Sequence, residues 1–266
     1  MKTFAAQAIT NKHHKKDYIM LSQQTIDKLS TMHLNGMSKG YQEQLSSTVS
    51  HGLSFDDRFG MLVDQEQTHR ENQRLTRLLK AAKLRENACM EDIDYAHSRG
   101  LDKAQIASLN HTDWIQRGFN LIITGPTGCG KTWIACALGN QACRVGLSVS
   151  FQRLPLMLEE LHLAHADGSF RKKLMQLAKV DLLILDDFGI AALNPQSRGD
   201  LLEVIDSRSG GKSTTITSQI PVELWHDYLK GGNSTVADAI LDRLVSGTLR
   251  IQLKGESMRK LRSPKI

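Results

Sequence analysis

The chain has 266 residues, 40% apolar and 23% charged, an ordinary globular mixture that excludes wholesale disorder and collagen-like repeats. Its longest stretch without Lys, Arg, Asp or Glu, Gly118–Gly130, falls short of the roughly 20 apolar residues a membrane helix needs. Met1–Met20 has no compact apolar run of the secretory kind, so a cytoplasmic protein with no membrane partner is expected; the net charge is +6. Cys89, Cys129, Cys136 and Cys143 contain no C-x-x-C pair, and neither a disulfide nor a zinc framework is expected of them.

Residues 1–24 are polar and mixed, with Lys12-His13-His14-Lys15-Lys16 at their centre, and read as a loose leader. From Thr25 to about residue 105 proline is absent and apolar residues recur at three and four, predicting a helical N-terminal domain for DNA or partner binding. Ile26, Leu29 and His33-Leu34 begin one helix, which Asn35-Gly36 should interrupt or end. Ser54 caps another, with Asp56 and Asp57 in its first turn, running to about Arg85. At 100° per residue Arg70, Arg74, Arg77 and Arg85 share a stripe beside Leu75, Leu78, Leu79 and Ala82. Such a stripe is more often a solvated charged face than a DNA contact.

The pattern changes across Leu101–Thr112. Strands are predicted at Phe119–Thr124, Ser148–Gln152, Val180–Leu185, Ser213–Ser218 and Leu249–Leu253. Helices alternate with them near Lys131–Val145, Leu154–Ala166, Gln196–Ser207 and Ala237–Val245. That alternation predicts an α/β domain over residues 106–266, a five-stranded parallel sheet flanked by helices. The basic residues at its end (Arg243, Arg250, Lys254, Arg259, Lys260, Arg262 and Lys265, against Glu256) carry a surplus as large as the net charge. This suits a polyanion or a solvated terminus equally.

The first predicted strand enters Gly125-Pro126-Thr127-Gly128-Cys129-Gly130-Lys131-Thr132, and a helix follows. This is G-x-x-x-x-G-K-[ST] between strand and helix, a loop whose backbone amides and helix dipole cradle phosphates. Lys131 would reach the β/γ oxygens and Thr132 would offer its hydroxyl to Mg²⁺. Val180–Asp187 supplies the second half: a buried apolar strand ending in Asp186, a metal residue, and Asp187, placed to polarise water or to cap a turn. Ser218 and Gln219, ending the next strand, either contact the γ-phosphate or form a polar strand end. A small-molecule kinase shares the first motif, but tandem acids suit hydrolysis better.

Asn120–Gly139, Leu182–Gly189 (LLILDDFG), Thr214–Pro221 (TTITSQIP), Asp238–Val245 (DAILDRLV) and Lys254–Arg259 (KGESMR) together resemble the IstB-like ATP-binding proteins of the AAA+ class. These are relatives of the DnaC helicase loader, and Asn72–Glu86 is similar to the family's N-terminal domain. The resemblance implies an ATP- and Mg²⁺-dependent ATPase, a homo-oligomer on double-stranded DNA that helps a transposase; the alternative is a DnaC-like replicative helicase loader. It implies phosphate-loop roles for Gly125–Thr132, metal binding by Thr132 and Asp186, and water activation by Asp187. It puts Ser218 and Gln219 at the γ-phosphate sensor and makes Arg243 the finger of a neighbouring subunit's site. Two departures stand out: Asp187 is where many relatives have Glu, and little chain follows Leu253 for a helical lid, leaving Arg259 as a stand-in sensor.

Overall fold

The computed structural model describes residues 20–95, 99–231 and 234–258. It forms two compact units, one ending at Thr76 and the other beginning at Arg77. Arg259, Lys260, Arg262 and Lys265, like the Lys12–Lys16 cluster, lie outside the described residues.

The first unit is helical. Backbone over 20–31 forms α1, and α2 covers Asn35–Ser46. A 3-10 turn, Val49–Gly52, then leads to α3, Phe55–Ala82. The break between α1 and α2 falls at His33, whose φ of 58° is left-handed. Asn35-Gly36 therefore does not end a helix but opens the next one. Glycine is needed there because an added Cβ at Gly36 would come within 2.6 Å of the Gln65 carbonyl of α3. At the same point buried Glu66 accepts hydrogen bonds from the Gly36 and Met37 amides, at 2.7 and 3.1 Å, and so caps α2 from a neighbouring helix. Burial by itself would raise the Glu66 pKa. The Arg70 guanidinium, 2.7 Å away, and the two amides outweigh it and hold the carboxyl below its ordinary value. Ser54 caps α3 as expected, its hydroxyl accepting from the Asp57 amide and donating to the Asp57 carboxylate.

The division at Thr76/Arg77 lies upstream of the expected boundary near residue 105. The reason is packing: the segment after α3 lies on the second unit. Leu84 sits against Gly139, and Arg144 pairs with Glu91 at 2.5 Å. Two short helices follow, α4 (Lys103–Asn110, capped by Asp102) and α5 (Asp113–Gln116).

The second unit is built on β1 (Leu121–Thr124), β2 (Val149–Arg153), β3 (Leu182–Phe188), β4 (Ser213–Ser218) and β5 (Leu249–Gln252). All pair in parallel, in the order β2-β3-β4-β1-β5. The expected α/β class and five strands are thus present. Between the strands run α6 (Lys131–Arg144), α7 (Leu154–Ala166), α8 (Phe170–Lys179), α9 (Pro195–Asp206), α10 (Trp225–Lys230) and α11 (Ser234–Val245). Alternation along the strands splits the core. Ile122, Leu183, Leu185 and Ile216 join the apolar faces of α7, α9 and α11, whereas Ile184 meets Gly139 of α6 on the other face. β3 is buried along almost its whole length, as a continuous apolar run predicts for a central parallel strand.

Strand order is what builds the site. β4 lies between β1 and β3, so its last residues separate the loop leaving β1 from the carboxylates ending β3. Register is regular up to Leu185↔Ile216, then shifts before Phe188↔Ser218. Asp186 and Asp187 occupy that irregularity, with Asp187 in the left-handed region at φ 64°.

Candidate functional site

The phosphate loop leaves β1 at Gly125 and becomes α6 at Lys131. Gly130, the residue before the helix, has φ 98°, and a Cβ there would meet the Arg99 guanidinium at 2.7 Å. Only glycine fits that backbone and that approach. The Lys131 ammonium turns into the loop and donates to the Gly125 and Pro126 carbonyls at 2.7 and 2.8 Å. Burial lowers its pKa from the ordinary lysine value, an effect opposed by the neighbouring Cys129, Asp186 and Asp187.

Asp186 is fully buried. Its Oδ1 accepts from Thr132 Oγ1 at 2.8 Å and from Thr217 Oγ1 at 2.5 Å. Among the described residues its Oδ2 has no hydrogen-bond partner, and the nearest cation is Arg85 Nη1 at 3.6 Å. A buried carboxylate oxygen left open beside a threonine hydroxyl is the donor set a hard divalent cation takes, so the residues fit Mg²⁺. Asp187 points elsewhere: its Oδ2 accepts from Arg153 Nε at 2.9 Å, and its amide reaches Thr217 Oγ1 at 3.4 Å. A non-glycine residue held left-handed at a site of chemistry is stored backbone strain, smaller for Asp than for most side chains.

Ser218 and Gln219 take different parts. The Ser218 hydroxyl donates to the Phe188 carbonyl at 2.9 Å and accepts from the Ile220 amide, tying β4 to the end of β3. Gln219 Oε1 accepts from Thr127 Oγ1 at 2.7 Å, bridging β4 to the phosphate loop. The same loop is touched by the segment after β5, where the Met258 amide donates to the Gly128 carbonyl at 2.9 Å. Ser257 fills the space a side chain at Gly128 would need.

These groups surround a cavity of about 450 Å³ lined by Thr127, Lys131, Thr132, Asp187, Ser218 and Gln219, among others. Three arginines not assigned to it from sequence also line it: Arg85, Arg99 and Arg153. Thr217 was likewise not singled out, although period-two alternation from Thr215 marks it. Arg85 departs from its expected place. α3 ends at Ala82, Lys83 turns left-handed at φ 51°, and Arg85 therefore leaves the stripe that Arg70, Arg74 and Arg77 form along α3. Arg70, the first of them, pairs with Glu66.

Arg243 is not in this cavity. On α11 its Nε donates to Asp206 at 2.6 Å, and its backbone carbonyl accepts from Asn120, the residue before β1. That is the opposite end of the strands from the phosphate loop. Cys136 and Cys143 are buried in α6 with thiol pKa values pushed up by burial to about 11, so both stay protonated.

A family model described as IstB-like ATP binding protein matches residues 27–265. The chain is 53% identical to an ATP-binding protein of insertion sequence IS1162 from Pseudomonas fluorescens, over 76% of this chain and 88% of that one. It is 48% identical to an insertion sequence ATP-binding protein of Sinorhizobium fredii, over 91% of this chain and 98% of that one. Among solved structures, the DnaC helicase loader matches with a TM-score of 0.54 at 22% identity, over 65% of this chain and 100% of that one. DnaI matches with a TM-score of 0.53 at 20% identity, over 63% and 91%. What is shared with these two is the fold, the arrangement of sheet and flanking helices.

Proposed function

Because the chain belongs to the IstB-like ATP binding protein family, we propose that it is an ATP-hydrolysing helper of insertion-sequence transposition, a homo-oligomer that binds double-stranded DNA and serves a cognate transposase. The observation that carries the reading is the 2.8 Å contact between Thr132, opening α6, and Asp186, ending β3. Two motifs more than fifty residues apart converge on one spot, with an open carboxylate oxygen beside them. The relatives are ATP-binding proteins of insertion sequences, which supports the transposition context.

In this reading the loop amides of Gly125–Gly130 and the Lys131 ammonium hold the β- and γ-phosphates. Thr132 and Asp186 would hold Mg²⁺, which when bound neutralises charge on the transferring phosphoryl group. Asp187 orients the attacking water and draws its proton, once its carboxylate leaves Arg153. Gln219 steadies the loop through Thr127, and Ser218 fixes the strand end beside it. Arg243, directed away from its own cavity, completes the site of a neighbouring subunit, where a delocalised cation stabilises charge spreading over phosphate oxygens. Arg70, Arg74 and Arg77 of α3 and the basic C-terminal segment are assigned to DNA phosphates.

Gel shifts test the reading. Purified protein should retard duplex DNA at low salt more strongly with ATP than without, and binding should fall steeply as salt rises. Absence of duplex binding with ATP at low salt overturns it. A pull-down that returns the replicative helicase and no transposase would favour the helicase-loader alternative.

A further inference from the structure

We propose that Arg85 is a place-holder for the divalent cation: it neutralises the open oxygen of Asp186 and binds the phosphates of metal-free nucleotide, and the metal displaces it. The inference rests on the nucleotide-site reading above and adds a residue to it.

The argument begins with charge. Asp186 is fully buried, and its Oδ2 has no hydrogen-bond partner. A buried carboxylate oxygen in that condition needs a counter-charge. The Lys131 ammonium is directed at the Gly125 and Pro126 carbonyls, and the Arg153 guanidinium is held by Asp187. Among the described residues Arg85 is the cation that remains within ion-pair distance, at 3.6 Å. The separation is too long for a hydrogen bond, so the guanidinium neutralises the oxygen without being fixed to it. Its side chain is 44% exposed and lines the same cavity as the phosphate loop, so it can turn from carboxylate to phosphate without leaving the site.

The base of Arg85 is fixed while its head is part-exposed. Leu84 packs against Gly139 of α6, and the backbone of Arg85 and Glu86 faces the buried Cys136 thiol, also on α6. The residue is therefore carried by the helix that starts at the phosphate loop. A guanidinium and a divalent cation cannot share Asp186 Oδ2, since like charges a few ångströms apart repel strongly in a partly desolvated site. Without metal, Arg85 bridges carboxylate and phosphate; with metal, it is pushed aside.

The test is titration of the full-length protein with a fluorescent ATP analogue, in EDTA and in Mg²⁺, for wild type, Arg85→Gln and Arg85→Lys. Arg85→Gln should weaken metal-free binding about tenfold, the worth of one charge-assisted phosphate contact. Binding in Mg²⁺ should be unchanged or tighter, with half-saturation at lower Mg²⁺, and Arg85→Lys should keep part of the metal-free affinity. Equal loss in both conditions, or no loss in either, overturns the inference, as does wild type that binds only with Mg²⁺. Wild type that binds no nucleotide in either condition overturns the nucleotide-site reading itself. A thermal melt without ligand reports whether Arg85→Gln has folded; should it not, Arg85→Lys carries the comparison. A guanidinium with a purely structural role would not separate EDTA from Mg²⁺.

Discussion

The two adjacent aspartates differ in almost every physical respect. Asp186 is buried and bound by two threonine hydroxyls, whereas Asp187 sits at φ 64° with its carboxylate on Arg153. The left-handed backbone bears on the departure noted in the sequence. Asp and Asn tolerate that region several-fold better than most residues, so the shorter acid suits the backbone this chain has there. It also makes Asp187→Asn a clean probe, because the substitution keeps the tolerance and removes the base. ATP should still bind, while turnover falls by at least roughly 10²-fold. Equilibrium binding and single-turnover phosphate release, measured together, check this. Phosphate release at the wild-type rate would remove Asp187 from the chemistry.

At this scale the motif residues were legible because their chemistry is fixed by local order: strand, glycines, lysine, threonine, then an apolar strand ending in acid. Arg85, Arg99 and Arg153 are not, since nothing near them in sequence states what they face, and the alternation that marks Thr217 gives its face but not its partner. Arg85 leaves the stripe for a definite reason. α3 ends at Ala82, and the left-handed turn falls on Lys83, a residue type that announces no such turn.

Among the elements, α2 shows most clearly how one helix depends on another. Glu66 of α3 supplies the cap that the sequence before α2 does not, and its pKa is depressed in the folded chain. The stabilisation is therefore complete above the ordinary carboxylate range and is lost as pH falls through the folded value. Hydrogen exchange at Gly36 and Met37 should lose protection on acidification. Glu66→Gln should lose roughly tenfold of that protection at neutral pH and flatten its pH dependence. Protection of both amides unaltered by the substitution would mean that the cap contributes nothing. The break at His33 explains why Asn35-Gly36 misled: the pair usually marks a turn, but here glycine serves a close helix crossing. α8 is hard to read because, of its residues, only Leu177 is buried and Arg171, Lys172 and Lys173 follow Phe170 in its first turn. Long periodic segments such as α6 and α7 declared themselves; short ones held by tertiary contacts did not.

For the molecule as a whole, the placement of Arg243 has the largest consequence. It pairs with Asp206 at the strand ends away from the loop, so under the proposed function the arginine assigned to hydrolysis would come from a neighbouring subunit. Arg243→Ala should leave ATP binding intact and lower turnover by on the order of 10³-fold, the usual worth of an arginine supplied across an interface. Lys131→Ala should fail to bind nucleotide. Mixed together, the two inactive proteins should recover activity, since each can supply what the other lacks; mixtures as inactive as their parts would indicate a role within one subunit. The division at Thr76/Arg77 is hidden from sequence because Leu84, Cys89, Glu91 and Asn110 lie in a stretch of helical composition yet contact α6, so composition and folding unit part company there.

The seam between Met258 and Gly128 has a practical corollary. Because the stretch beyond β5 helps shape the turn proposed to hold phosphate, an affinity handle or fluorophore spliced in there would report on its own intrusion as much as on the protein. Labels for biochemical work belong instead at a site remote from that seam, such as the exposed tip before Gly168, with that glycine kept for its φ of 76°.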